Sequence, residues 1–216
     1  TLRQKDWLDY YVTRFDTVEI NNTFYHLPEP KAFDQWREHA PAGFCYALKF
    51  SRYSSHLKRL KDPKQPIKLF LSRARRLKNF LGPILVQLPP RWSVNVERLS
   101  EFLDAAPRDY RWTFEFRDPS WLVDEVYTIL RARRAALCIH DLIPQHPREL
   151  TADFIYLRFH GSRYSGCYSR QVLAREAAQI NEYLHSGTDV YTYFNNDAEG
   201  YAPRNAADLL RLVKEP

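Results

Sequence analysis

The amino-acid sequence predicts an α/β fold of the TIM-like (β/α) barrel class, and three observations predict it. Apolar, strand-like runs alternate strictly with helical patterns along the chain, and strict alternation implies parallel strands joined by helical crossovers. Polar and charged residues collect where those strands end, the end at which barrels carry their working side chains. Neither GxGxxG nor GxxxxGK[ST] occurs, which removes the main sequence support for a nucleotide-binding open sheet. Strict alternation that begins and ends with a helix predicts seven strands and eight helices, although the connection through Pro144 and Pro147 is brief and only seven helices can be placed. An eightfold barrel then needs a first strand upstream of Thr1, and the absence of any methionine, an initiator included, points the same way. The expected organisation is a single barrel domain over residues 1–216, incomplete at its N-terminus.

Each element has its own justification. Trp7, Leu8, Tyr11, Val12 and Phe15 recur at helical spacing, so the chain opens in a helix over 5–15, and a strand follows over 17–24. Pro28 and Pro30 end that segment, a short helix spans 31–39, and the next strand spans 44–50. Residues 67–81 are amphipathic, with Leu69, Phe70, Ala74 and Leu77 toward a core, and Gly82-Pro83 reads as the stop. Residues 84–88 are continuously apolar, as in a strand covered on both faces. A helix over 96–105 precedes the strand Trp112 to Phe116. There Asp118-Pro119 reads as an N-cap followed by proline at the first helical position, opening a helix over 121–134. Residues 136–139 form a short buried strand and 154–159 another. A helix over 170–185 stops at Gly187, the last strand spans 190–194, and a helix over 204–213 closes the chain.

Composition bounds the class. With 216 residues and 44% hydrophobic content the chain can bury a core. It has no run of about 18 apolar residues and its first residues lack a signal peptide's apolar core, so no membrane span and a cytoplasmic location are expected. Cys45, Cys138 and Cys167 are widely spaced and read as reduced thiols. The net charge of +6 and pI near 9.2 favour anionic partners, a small molecule or nucleic acid. Three basic clusters, 58–61, 73–78 and 131–134, read as solvated helix faces or loops. The oligomeric state is not legible.

Six segments carry a resemblance: 15–25 (Phe-Asp-Thr-Val-Glu-Ile-Asn-Asn-Thr-Phe-Tyr), 49–51 (Lys-Phe-Ser), 82–90 (Gly-Pro-Ile-Leu-Val-Gln-Leu-Pro-Pro), 114–121 (Phe-Glu-Phe-Arg-Asp-Pro-Ser-Trp), 156–161 (Tyr-Leu-Arg-Phe-His-Gly) and 193–197 (Tyr-Phe-Asn-Asn-Asp). In this order, over almost the full chain, they resemble the YecE-like family, catalogued as domain of unknown function 72. The resemblance implies a TIM-type barrel and no particular reaction. Family members usually begin with a strand carrying a Gly-Thr-Ser-Gly-Trp-like segment, and this chain starts after it.

Candidate site residues follow from strand ends. Glu115, Glu19, Lys49, Asp141 and His160 are the catalytic candidates. Arg117, Arg158, Asn21, Asn195, Asn196, Arg163 and Tyr164 are the substrate-binding candidates. Buried carboxylates need partners, and Lys49, Arg117 and Arg158 are the available ones. Alternation sends Glu115 and Arg117 to one side of their strand and Phe114 and Phe116 to the other. Asp118 is explained by capping. His140 is set aside for Asp141, because alternation places the two oppositely. The loops 161–166 and 196–201 could hold a phosphate through backbone N–H groups, with Arg158 and Arg163 adding charge. Against this, such glycine-bearing loops are also ordinary turns, and Asp197 and Glu199 repel an anion.

Three functional readings are open. The favoured one is hydrolysis of a phosphate-bearing substrate, nucleic acid included. In architecture this resembles the metal-dependent barrels of the abasic-site endonuclease and sugar-isomerase type. A divalent metal is compatible with that reading, but no HxxE-like ligand spacing assigns one. The second is a metal-independent sugar enzyme, either a glycosidase using Glu19 and Glu115 or a Schiff-base enzyme using Lys49. The third is a module that binds an anionic ligand or RNA without turning it over.

Overall fold

The computed structural model describes residues 3, 6–161 and 166–214. Seven strands lie in chain order, β1 Thr17–Ile20, β2 Cys45–Lys49, β3 Leu81–Gln87, β4 Trp112–Glu115, β5 Ala136–His140, β6 Phe154–Phe159 and β7 Asp189–Phe194. Among the described residues eight α-helices accompany them, two between β1 and β2 and none between β5 and β6: α1 Trp7–Tyr11, α2 Asn22–Tyr25, α3 Pro30–His39, α4 Lys64–Ala74, α5 Val96–Ala105, α6 Asp124–Arg133, α7 Arg170–His185 and α8 Tyr201–Lys214. Parallel strands following one another in sequence, with helix in every crossover except the irregular 141–153 connection between β5 and β6, are the α/β barrel class expected from the alternation. No helix among the described residues is long and apolar enough to cross a membrane.

The chain divides into two compact units, Thr1–Phe114 and Glu115–Pro216, the boundary falling inside β4. In the first unit, β1 pairs with β2 and β2 with β3, all parallel. Its core is aromatic. The Phe50 ring centroid lies 5.0 Å from Phe70, 5.5 Å from Phe102 and 5.9 Å from Trp112, each in edge contact. Such contacts add about 0.5–1.5 kcal/mol per pair beyond area burial.

In the second unit, β5, β6 and β7 are parallel and in register. His140 stands beside Arg158, and Arg158 beside Tyr193, so these three share one face of the strands. Ile139, Leu157 and Phe159 occupy the other face and pack on Leu173, Ala177 and Ile180 of α7 and Leu209 of α8. The single-residue alternation of β6 therefore divides an apolar helix-facing side from a polar one.

Several boundaries differ from expectation, each for a local reason. β1 stops at Ile20 and the chain turns helical at Asn22, where Thr23 Oγ1 donates to Ile20 O at 3.0 Å and to Lys49 O at 2.8 Å. The helix expected over 67–81 runs from Lys64 to Ala74, then continues as a 3₁₀ segment broken by Lys78 at φ 55°. Gly82-Pro83 is no stop; it lies inside β3. A Cβ on Gly82 would come within 2.2 Å of Cys45 Sγ, so glycine is what lets β3 approach β2 there. Asp118 does cap, accepting from Ser120 N at 3.1 Å, but it caps a single turn, Pro119–Trp121, and α6 begins later at Asp124. A π-helical turn over Tyr53–Leu57 was not foreseen.

Candidate functional site

The polar face of the second unit gathers most of the expected residues. Glu115 ends β4 with no exposed surface. Two residues on, Arg117 returns to it, Nη1 donating to Oε1 at 2.9 Å, and Arg158 of β6 donates from Nη1 to Oε2. Arg158 also donates from Nη2 to Asn195 Oδ1 at 3.1 Å, just past β7. Burial alone would raise the Glu115 carboxyl, but the positive charge of Arg158, with smaller contributions from His140, Arg117 and His160, holds it well below the usual carboxylate range. Glu115 is therefore ionised at neutral pH, with each oxygen engaged by a guanidinium.

Next to this pair lies a second polar group. Arg158 Nη1 sits 3.3 Å from His160 Nε2, and His160 Nδ1 lies 3.3 Å from Asp141 Oδ1. With a guanidinium donor on one side and a carboxylate on the other, the neutral ring carries its hydrogen on Nδ1. Asp141 is itself tightly held, accepting from His160 N at 2.9 Å, Gly161 N at 3.2 Å and the Tyr168 hydroxyl. Burial opposes ionisation of Asp141, and the hydrogen bonds from His160 and Tyr168 outweigh it, so its pKa is lowered. The Tyr168 hydroxyl is raised by burial and by its bond to Asp141.

His140, set aside on the sequence, belongs to the same face. Its Nε2 donates to Phe116 O at 2.8 Å and its Nδ1 accepts from Leu142 N at 3.3 Å, which satisfies the neutral ring completely. Burial lowers its pKa to about 4. The alternation argument had placed His140 opposite Asp141, but Asp141 lies beyond the strand, where period two no longer applies. Asn196 is wholly buried and donates to Gly166 O at 2.8 Å and Asn205 Oδ1 at 3.0 Å, while Asn205 accepts from Tyr168 N at 3.1 Å. Asn205 escaped the sequence reading because it is not at a strand end, and no spacing links it to Asn196 or Tyr168 to Asp141. Arg163 and Tyr164, with most of the proposed phosphate loop 161–166, lie outside the described residues.

The remaining candidates belong to the first unit. Asn21 Nδ2 donates to Glu19 Oε1 at 3.1 Å, and Lys49, 7% exposed at the end of β2, holds its Nζ 4.2 Å from the Phe24 ring centroid. Among the described residues no three His, Cys, Asp or Glu side chains gather so as to hold a metal ion. In the second unit the donor chemistry agrees, since the carboxylates of Glu115 and Asp141 are committed to guanidinium, amide and hydroxyl donors.

Comparison with known proteins follows the same lines. The chain is 31% identical over 115 residues to UPF0759 protein YecE of Escherichia coli K12, a match covering 53% of this chain and 42% of that protein. It is 24% identical over 243 residues to UPF0759 protein YunF of Bacillus subtilis, covering 95% of this chain and 86% of that one. The chain thus spans less than half of YecE's length in that match. The crystal structure of a DUF72 family protein from Thermotoga maritima superposes with a TM-score of 0.89 at 28% identity, over 99% of this chain and 91% of that one. A second, from Enterococcus faecalis, gives 0.85 at 20% identity, covering 98% and 95%, a likeness of fold alone. The family model described as "Protein of unknown function DUF72" matches residues 1–216, and the chain belongs to that family.

Proposed function

We propose that the chain hydrolyses a phosphate-bearing substrate, with nucleic acid the polymer favoured by its net charge of +6. One observation carries the reading: at the strand ends of the second unit, two guanidiniums are held by one buried carboxylate beside a histidine oriented by an aspartate. Arg117, whose side chain keeps 17% of its surface exposed against 3% for Arg158, takes a phosphate oxygen. Glu115 positions both arginines. Once Arg158 Nη1, which faces His160 Nε2 at 3.3 Å, turns to the phosphate, His160 accepts a proton from the attacking water at Nε2. Asp141 steadies the imidazolium, and the proton passes on to the leaving oxygen as the P–O bond breaks. Glu19, Asn21 and Lys49 are the first unit's own candidate residues.

A specific observation favours a second reading, anion binding without turnover: His160 has no exposed surface, and both Glu115 oxygens are engaged. The sugar-enzyme reading is weaker, because an ionised Glu115 has no proton to give at neutral pH. The discriminating experiment follows hydrolysis of phosphomonoesters, phosphodiesters and labelled oligonucleotides, with and without added divalent ions, for the protein and for His160→Asn and Arg117→Ala. Hydrolysis lost in His160→Asn supports the first reading. Binding that falls in Arg117→Ala with no product from any substrate supports the second. Turnover unchanged in both variants places the site elsewhere.

A further inference from the structure

A separate cavity of about 240 Å³ lies on the other face of the second unit, between the ends of β5 and β6, the 142–150 loop and α7. Its walls are largely apolar, from Ile139, Ile143, Leu157 and Phe159. Its polar lining is unusual. Arg148 donates from Nη2 to Glu176 Oε2 at 2.5 Å, while its Nη1 is buried with no hydrogen-bond partner among the described residues. His146 Nδ1 lies 2.8 Å from Pro147 O, a contact that requires the hydrogen on Nδ1 and leaves Nε2 a bare acceptor. That Nε2 is likewise buried and without a partner among the described residues. One loop thus carries an unmatched donor and an unmatched acceptor on two residues that line one cavity, each costing about 1–3 kcal/mol while unsatisfied.

The charges on the lining narrow the ligand. Arg148 is offset by Glu176, Asp141 adds a further negative charge, and burial keeps His140 and His146 neutral, so an anion is repelled. A cation leaves Arg148 Nη1 without an acceptor. We propose that this cavity binds a neutral small molecule with a cis-amide edge, its carbonyl oxygen accepting from Arg148 and its N–H donating to His146, its apolar body against Leu157 and Phe159. The two polar atoms are covered by their own surroundings, so the His146 and Arg148 side chains turn onto the ligand as it enters. The site is distinct from the one proposed for phosphate, since Leu157 and Phe159 face away from Arg158, with His140 and Asp141 the residues that border both.

The test titrates 2-pyridone and δ-valerolactam into the full chain, with benzoate and benzylamine as anionic and cationic controls, and reads the His146 ring nitrogens and Arg148 guanidinium by NMR. The two lactams should saturate and shift both side chains, and the controls should not. His146→Phe should weaken lactam binding about tenfold, the value of one hydrogen bond. Ile143→Trp, which fills the cavity from the loop, should abolish it, with thermal melting confirming that both variants fold. No lactam binding at millimolar concentration, equal binding of benzoate or benzylamine, or lactam affinity unchanged in Ile143→Trp would each overturn the assignment. None of these readouts depends on hydrolysis.

Discussion

Glu115 shows how much one buried side chain organises its neighbours. A carboxylate without exposed surface is costly unless paired, and here Arg117 and Arg158 provide the pairing. Glu115→Gln leaves two guanidiniums without their counter-charge, and chemical denaturation should show a loss of about 3–5 kcal/mol. The sign of the pH dependence follows. Because its folded pKa is depressed, the stabilisation from Glu115 is present above the ordinary carboxylate range and is lost as pH falls through the depressed value. His140 acts in a higher window. The unfolded ring takes a proton below about 6.5 and the folded ring only below about 4, so stability falls as pH drops between those values, by about 3 kcal/mol in all. Unfolding free energies of His140→Gln measured from pH 7 to 4 should be correspondingly flatter than those of the native chain. An unaltered slope would mean that burial in the folded protein does not depress the His140 pKa below its unfolded value.

At the scale of elements, strand identity was legible and helix ends were less so. The helices over 96–105 and 170–185 begin and end where capping chemistry indicates, with Asn95 Oδ1 accepting from Arg98 N at 2.9 Å and Ser169 Oγ from Val172 N at 3.3 Å. Gly82-Pro83 misled because both residues are breakers in isolation, whereas here the glycine answers to Cys45 on the adjoining strand, a neighbour 37 positions away in the chain that local pattern cannot reveal. Gly82→Ala should therefore destabilise by about 1–3 kcal/mol, an overpacking cost. Adding Cys45→Ala should recover part of it, a coupling that a double-mutant cycle measures directly.

For the molecule as a whole, the basic balance predicts how binding responds to salt. If nucleic acid is the polymer bound, log affinity should fall linearly with log salt, and Arg117→Ala should lower both affinity and slope by about one phosphate contact. Fluorescence anisotropy at several salt concentrations checks this, and affinity that does not vary with salt would remove the polymer from the proposed function. The fold class lay in the primary structure because strict alternation of strand and helix leaves few parallel arrangements, and Glu115, Arg117, Arg158 and His160 lay there too, since polar residues at apolar strand ends are conspicuous. What only the tertiary structure decided was partnership. That Arg158 bridges Glu115, His160 and Asn195, that Asp141 is clasped by Tyr168, that Asn205 holds the chain at Tyr168, and that His146 and Arg148 leave polar atoms unmatched beside an apolar cavity are facts of side-chain direction and register. Hydrogen bonds act over about 3 Å, and a linear sequence does not encode which distant residues come that close until the strands are paired.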